Sequence, residues 1–328
     1  MTSRPRLGFL GVGWIGRHRM EAMLATGAVE AAAIADPSDE MAAEALKLAP
    51  AAKRVEGLEG LLAEGLDGIV IATPSTLHAE QSIRALEAGA AVFCQKPLGR
   101  TASEARAVVD AARQADCLLA VDLSYRFTEG MRRIRALLDE RALGDVYAVD
   151  LVFHNAYGPD KGWFYDPALS GGGCVMDLGV HLVDLALWSL DFPRVERVSS
   201  DLLSGSRPLR EGQVEDYAVA NLTLDGGASV RLACSWRLPA GQEAVISAAF
   251  YGTEGGAALR NVGGSFYDFT AERFRGTSTE TLASPPDAWG GRAAADWAER
   301  LARGARFDPA AERLVDVSAV LDRIYGRA

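Results

Sequence analysis

Near the start of the chain a short apolar run, Leu7-Gly-Phe-Leu10, meets a turn written Gly11-Val-Gly13-Trp14-Ile15-Gly16 and then a helical stretch reaching to about Thr26. The G-x-G-x-x-G pattern has meaning only between a strand and a helix, and both neighbours are present. In that setting Gly11 permits a tight turn, Gly13 lets the backbone approach a pyrophosphate, and Gly16 lets the helix lie against the strand. The helix N-terminus, with Trp14 and Ile15 in its first turn, then faces the negative charge. The next strand, Val29–Ala35, ends at Asp36, twenty residues after Gly16. A carboxylate there can accept hydrogen bonds from the ribose hydroxyls of an adenosine and would repel a 2′-phosphate. Pro37-Ser38-Asp39 bring no Arg or Lys to bind such a phosphate. The expected cofactor is therefore NAD in preference to NADP. As a helix N-cap, Asp36 could serve the fold at the same time.

The alternation continues for about 120 residues, and that regularity predicts a doubly wound parallel sheet with helices on both faces. Helices are expected at Asp39–Leu48, Leu58–Ala63, after Thr73-Pro74-Ser75 through His78 to Ala88, and at Thr101–Ala115, where Thr101 and Glu104 are spaced as a capping box. Strands are expected at Asp67–Ala72, Ala91–Cys94 and Leu118–Asp122. Ligands of such sheets bind beyond the carboxyl ends of the strands. That rule singles out Gly11–Gly16, Asp36, Thr73-Pro74, Gln95-Lys96-Pro97 and Asp122. Lys96, directly after a buried strand and before a proline, is the cation best held to stabilise charge developing on a substrate oxygen. His78 reads as a histidine packed near the cofactor without a role in the chemistry.

Further on, Gly171-Gly-Gly-Cys-Val-Met-Asp177-Leu-Gly-Val-His181-Leu-Val-Asp184 opens with three glycines and runs into an apolar helical rhythm. Asp177, His181 and Asp184 fall at i, i+4 and i+7 and so project from one face. A polar stripe on an apolar helix costs free energy unless its groups are paired or wet. Either His181 is a buried ring satisfied by a neighbouring carboxylate, or the pair handles a substrate proton. Spacing alone leaves both open.

The chain has 328 residues, enough for one large or two ordinary domains, and 49% of them are apolar against 24% charged. A formal net charge of −10 disfavours a nucleic-acid backbone or an anionic membrane as partner. The four cysteines, Cys94, Cys117, Cys174 and Cys234, are spaced for neither a zinc site nor a disulfide framework, so no metal is expected and the thiols should be buried. Neither a signal peptide nor a membrane-spanning run is evident, which makes a cytoplasmic protein the expectation.

Gly11–Gly16, Thr73-Pro74, Gln95-Lys96-Pro97 and the Gly171–Asp184 motif together resemble the Gfo/Idh/MocA oxidoreductase family, and the resemblance covers nearly the whole chain. It implies that the lysine of an E-K-P motif and the Asp and His of a D-x-G-x-H motif form the catalytic set, here Lys96, Asp177 and His181. Gln95 stands where the family usually has Glu, which keeps a hydrogen-bonding head but removes the charge. The resemblance further implies a dinucleotide-binding domain at 1–124 and a second α+β domain at 125–328. The second domain would be an open, mainly antiparallel mixed sheet over the nicotinamide end, with the C-terminal helix able to pack back on the first domain. Thr73, Pro74, His78, Gln95 and Lys96 would line the cofactor. Tyr125, Arg126, His154, Asn155, Tyr157 and Trp163 would lie near the cleft, where aromatic faces and hydrogen-bonding heads suit a sugar or polyol ring. Trp236 and Arg237 end a strand that could reach it.

Within this second half a helix is expected from Arg126 to about Glu140 and strands at Val146–His154, Val195–Leu203, Glu215–Leu224, Ala228–Trp236 and Ala244–Tyr251. Residues 277–291 read as loop, and closing helices are expected at 292–303 and 310–325. An open sheet face suggests a homo-oligomer, dimer or tetramer. The expected activity is hydride transfer between the nicotinamide and a secondary hydroxyl or ketone of a sugar, cyclitol or related polyol. Two alternatives need similar residues or only some of them: an NAD-dependent glycosidase, and a cofactor-binding regulator without turnover.

Overall fold

The computed structural model of the chain describes residues 4–327. They divide into two compact units. One ends at Asp122 and takes in Gly291–Val315; the other is Leu123–Gly290 with the segment from Asp316 onward.

In the first unit six strands, β1 (Arg6–Leu10), β2 (Glu30–Ala35), β3 (Lys53–Arg54), β4 (Gly68–Ile71), β5 (Ala91–Cys94) and β6 (Leu119–Val121), lie parallel in the order β3-β2-β1-β4-β5-β6. Helices α1 (Trp14–Ala25), α2 (Asp39–Leu48), α3 (Gly57–Leu62), α4 (Ser75–Glu87) and α5 (Ala102–Ala115) make the crossovers. This is the doubly wound order, and its direction reverses between β1 and β4, where a crevice opens beyond the strands' carboxyl ends. Every residue of β4 and β5 is buried, as strands covered on both faces must be. The cap of α2 is Ser38, whose hydroxyl accepts from the Met41 amide, and Asp36 is left for other bonds. At α5 Thr101 accepts from the Glu104 amide, but Glu104 reaches back to the Arg100 amide at 2.7 Å, one residue earlier than a capping box would have it.

The second unit is built on nine strands: β7 (Val146–Asn155), β8 (Val195–Ser204), β9 (Arg207–Pro208), β10 (Tyr217–Leu224), β11 (Ser229–Ser235), β12 (Ala244–Gly252), β13 (Gly255–Asn261), β14 (Phe269–Arg275) and β15 (Ser278–Ala283). Their order is β15-β14-β13-β12-β7-β11-β10-β8-β9, antiparallel except for the parallel pair β7–β11. Helices α6 (Glu129–Asp139), α8 (Val180–Ser189) and the end of α10 (Arg313–Ile324) supply the rest of one apolar core, while the short α7 (Pro167–Ser170) contributes no apolar residue to it. Met131, Ile134, Val183, Leu187 and Val320 join Leu151, Phe153, Leu232 and Ile246 of the sheet there. Alternate residues on the other face, Val152, Val219, Ala233 and Val245 among them, stay half-exposed.

Four expectations are corrected. Residues 278–283, read as loop, form the edge strand β15 paired with β14. An edge strand buries little, so Ser278-Thr-Glu-Thr281 shows no apolar alternation. The helix expected to start at Arg126 is interrupted: a 3-10 turn covers Ser124–Phe127, and Thr128 caps α6 by accepting from the Met131 amide. The last helix is likewise split into a 3-10 turn at Pro309–Glu312 and α10. The apolar helix after the three glycines opens with a π-helical turn, Val175–Gly179, before α8 begins.

Helix α9 (Arg292–Ala302) belongs to the first unit, where Trp297 is buried with its ring 5.8 Å from that of Phe93. All four cysteines are free and buried. No helix among the described residues is long and apolar enough to cross a membrane.

Candidate active site

In the first unit the residues singled out for the nucleotide gather at the carboxyl ends of the strands. Gly11 has φ +83°, and a Cβ there would lie 2.6 Å from the Ala72 carbonyl oxygen. A Cβ on Gly16 would overlap the Gly11 carbonyl, so α1 can sit this close to β1 only with glycine at that place. Gly13 has nothing within 4 Å of its missing Cβ. Glycine there is not required by the protein's own packing, which suits the approach of a ligand. α1 carries no side-chain cap and no acidic residue in its first turn, so its N-terminal amides are left for an anion. One oxygen of Asp36 accepts from the Val12 amide at 2.7 Å and the other from Ser38 at 2.8 Å. Both retain lone pairs for ribose hydroxyls. These features fit a dinucleotide.

Lys96 is half-exposed while every other residue from Ala90 to Gly99 is buried. Its neighbour Gln95 donates from Nε2 to Asp122 Oδ2 at 2.7 Å, and the same oxygen accepts from Arg19 Nε at 2.6 Å. Because Asp122 can only accept here, the carboxamide is oriented with its nitrogen inward and its oxygen outward. Arg19, which sequence reasoning passed over, is buried with Asp122, and its Nη1 lies 2.8 Å from His18 Nδ1. His78 is buried with Nδ1 2.7 Å from the Pro97 carbonyl and Nε2 2.7 Å from the Thr73 carbonyl, so it ties the Thr73-Pro74 turn to the Lys96-Pro97 turn. A neutral ring can donate to only one of the two. Burial, the largest influence, holds its pKa below the ordinary value, and the two carbonyls pull the other way.

In the second unit the π-helical turn and α8 carry Asp177 and His181. They are the only residues from Ser170 to Leu187 that are not buried. Asp177 Oδ2 accepts from Trp236 Nε1 at 3.1 Å, so the strand-end tryptophan does reach this carboxylate. The His181 ring packs edge-on against Tyr125, centroids 5.0 Å apart, and lies 6.4 Å from Phe153. Burial raises the Tyr125 hydroxyl far above its ordinary range, followed by the Asp177 charge. Asn155 follows two residues after Phe153 on the same face of β7, and its Oδ1 is buried without a hydrogen-bond partner among the described residues.

Asp184 is not part of the exposed stripe. It is 2% exposed and faces Arg126, which donates from Nε to Oδ2 at 2.7 Å and from Nη2 to Oδ1. The Arg126 guanidinium also lies over Trp188 and Phe192. Burial pushes the Asp184 carboxyl up and Arg126 pulls it back. Arg126, expected to meet substrate, is thus largely used inside the protein. Trp163 stacks on Phe164 at 3.8 Å, Tyr157 is exposed 6.1 Å from Phe266, and His154 stacks on Tyr217 with Nδ1 2.7 Å from Ser235 Oγ. Arg237 lies over Tyr165.

A parallel six-stranded sheet with a glycine turn, an acidic β2 end and a lysine after β5 defines a dinucleotide-binding protein of the Rossmann class. Residues 6–123 match the model of the oxidoreductase family with NAD-binding Rossmann fold, and residues 131–258 match that of the GFO/IDH/MocA C-terminal domain. The chain is 32% identical over 250 residues to a putative UDP-kanosamine synthase oxidoreductase subunit of Amycolatopsis mediterranei (strain S699), covering 70% of this chain and 68% of that one. It is 29% identical over 211 residues to the D-glucoside 3-dehydrogenase of Escherichia coli (strain K12), covering 61% of this chain and 60%, less than two thirds, of that relative. A solved structure described as GenD2 from gentamicin A biosynthesis in complex with NAD superposes with a TM-score of 0.82 at 26% identity, covering 100% of this chain and 95% of that one. The chain belongs to the Gfo/Idh/MocA oxidoreductase family, and its cofactor is a nicotinamide dinucleotide.

Proposed function

We propose that the protein transfers hydride between NAD(H) and a secondary hydroxyl or ketone of a sugar, cyclitol or related polyol, with Lys96, Asp177 and His181 as its catalytic residues. The observation that carries this reading is selective exposure. In each of two buried runs, 90–99 and 170–187, only the residues this chemistry needs reach the surface. A bound nicotinamide supplies the hydride acceptor or donor. In the oxidising direction the role assigned to His181 is to take the hydroxyl proton, that of Lys96 is to stabilise negative charge developing on a substrate oxygen, and that of Asp177, held by Trp236, is to grip a neighbouring hydroxyl or orient His181. Asn155 offers its unpartnered carboxamide oxygen to a substrate hydroxyl, and Tyr157 and Trp163 offer ring faces, while Tyr125 is buried among aromatic rings and backs His181.

Asp36 supports NAD over NADP, since a carboxylate following β2 accepts hydrogen bonds from ribose hydroxyls and repels a 2′-phosphate. The half-exposed apolar centre of the second sheet, Val152, Val219, Ala233 and Val245, supports assembly of copies through that face. A monomer mass in sedimentation at micromolar concentration would count against such assembly. The activity is tested by following nicotinamide absorbance over a panel of sugars, inositols and their keto forms, with NAD and with NADP. Turnover with NAD is expected. Release of aglycone from glycosides without net NADH would point to a glycosidase instead. Tight NADH binding with no turnover of any candidate would point to a regulator.

A further inference from the structure

We propose that Glu215 and Tyr325 form a buried clamp that positions Asp177 and His181, an inference that rests on the catalytic roles assigned above. Glu215 is fully buried just ahead of β10. Its carboxylate accepts from the Gly173 amide at 3.0 Å, from the Val175 amide at 2.8 Å and from the Tyr325 hydroxyl at 2.7 Å. Its main-chain carbonyl accepts from the amide between them, that of Cys174, at 3.0 Å. One residue therefore holds three consecutive amides at the start of the helical run that carries Asp177 and His181. Those amides would otherwise be orphans. A carboxylate at a helix start, with amides aimed at it, is also electrostatically favoured.

The three glycines have separate reasons in this arrangement. Gly171 has φ +82° and closes α7. A Cβ on Gly172 would overlap the Tyr325 hydroxyl, and one on Gly173 would overlap the Glu215 carbonyl. Two of the three are thus required by the clamp. From it the path to the chemistry is short. The Asp177 amide bonds the Gly173 carbonyl at 3.1 Å, and the Asp177 carboxylate receives Trp236 Nε1. The Trp236 amide in turn bonds the carbonyl of Asp216, the residue next to Glu215, at 2.7 Å. The Glu215-Asp216 pair therefore fixes both the turn that carries Asp177 and the tryptophan that aims it. On the far side Arg327 lies 4.1 Å over the Tyr325 ring and donates to the Gly171 carbonyl at 2.6 Å, so residues beyond α10 brace the same turn.

The test uses the full chain with Tyr325→Phe, which removes one hydroxyl, and Glu215→Gln, which keeps the shape but puts a donor among donors. A misplacement of about 1 Å can cost on the order of 100-fold in rate. For Tyr325→Phe the expectation is a loss of about tenfold in kcat, with KM and NADH affinity within about twofold of wild type, and a larger loss for Glu215→Gln. Hydrogen exchange should accelerate at residues 173–181 and stay unchanged in β7 and β12. A Tyr325→Phe variant with wild-type kcat would overturn the clamp as a positioning device, and so would a lower kcat accompanied by faster exchange across the whole sheet. If the wild type turns over no sugar or polyol, the functional reading has failed, and exchange at 173–181 alone then decides whether the clamp exists.

Discussion

Substituting Arg126 by methionine would leave Asp184 as a carboxylate with 2% side-chain exposure and no charge partner. Removing one member of a buried ion pair costs about 3–5 kcal/mol, because the other charge stays behind uncompensated. The Arg126 side chain is 21% exposed, which argues for the low end of that range. Its guanidinium also lies 5.5 Å from the Phe192 centroid and 5.8 Å from that of Trp188, contacts worth roughly 0.5–1 kcal/mol each. The expected destabilisation is about 4 kcal/mol, or some 8–16 °C in the melting temperature of a unit of this size. The deficit should shrink as pH falls. Burial already raises the Asp184 carboxyl, and a group whose folded pKa is raised adds stability below its unfolded value and loses it as pH rises through the folded one. Urea unfolding followed by circular dichroism at several pH values measures both effects. The pair Arg126→Met/Asp184→Leu, apolar on both sides, should return to within about 1–2 kcal/mol of wild type. A single variant that unfolds within about 1 kcal/mol of wild type but raises KM for the substrate severalfold would refute this reasoning. It would make Arg126 a ligand group after all.

Gly13→Ala has room for its methyl and a backbone φ of −59°, so it should fold and melt like the wild type while NADH affinity falls at least about tenfold in a fluorescence titration. Unchanged affinity would remove the pyrophosphate from this loop. Gln95→Glu sets a second carboxylate against Asp122 with Arg19 the cation bonded to it, which should raise the pKa of the new group. Its melting temperature relative to wild type should then fall as pH rises from about 5 to about 8, and a parallel offset at every pH in scanning calorimetry would contradict that. Burial lowers both His78 and His154 from the ordinary value of 6.5. The stability tied to their neutral forms is present above that value and is lost as pH falls through the folded values. His154→Gln should flatten part of this acid-side decline, measured as melting temperature against pH.

The first unit was legible because its signals are local. Parallel strands covered on both faces must be apolar blocks such as Gly68-Ile-Val-Ile71, and the turns between them must be glycine, proline or capping residues. Where a signal was weak, the structure differs. Ser278-Thr-Glu-Thr281 at a sheet edge has nothing to bury, and a widened π-helical turn at Val175–Gly179 follows from packing that no spacing rule contains. Thr128 has the side chain of a cap, but Arg126 and Phe127 carry a helical rhythm up to it, so the chain does not mark the break before α6 unambiguously.

For the candidate site the sequence could demand partners but not name them. Asp177, His181 and Asp184 share a spacing, and an apolar helix can carry such groups only if each is wet or satisfied. Which one is satisfied is settled by residues far along the chain: Arg126, 58 positions before Asp184, and Trp236, 59 positions after Asp177. The same holds for Glu215, whose burial is invisible in a stretch that otherwise reads as the start of an alternating strand. A helix that offered three titratable groups to solvent would have no preferred proton acceptor. Pairing Asp184 with Arg126 takes the third out of play, and Trp236 limits how Asp177 can turn. What remains half-exposed on this run is one imidazole and one carboxylate oriented by Trp236, and the proposed chemistry rests on those two groups.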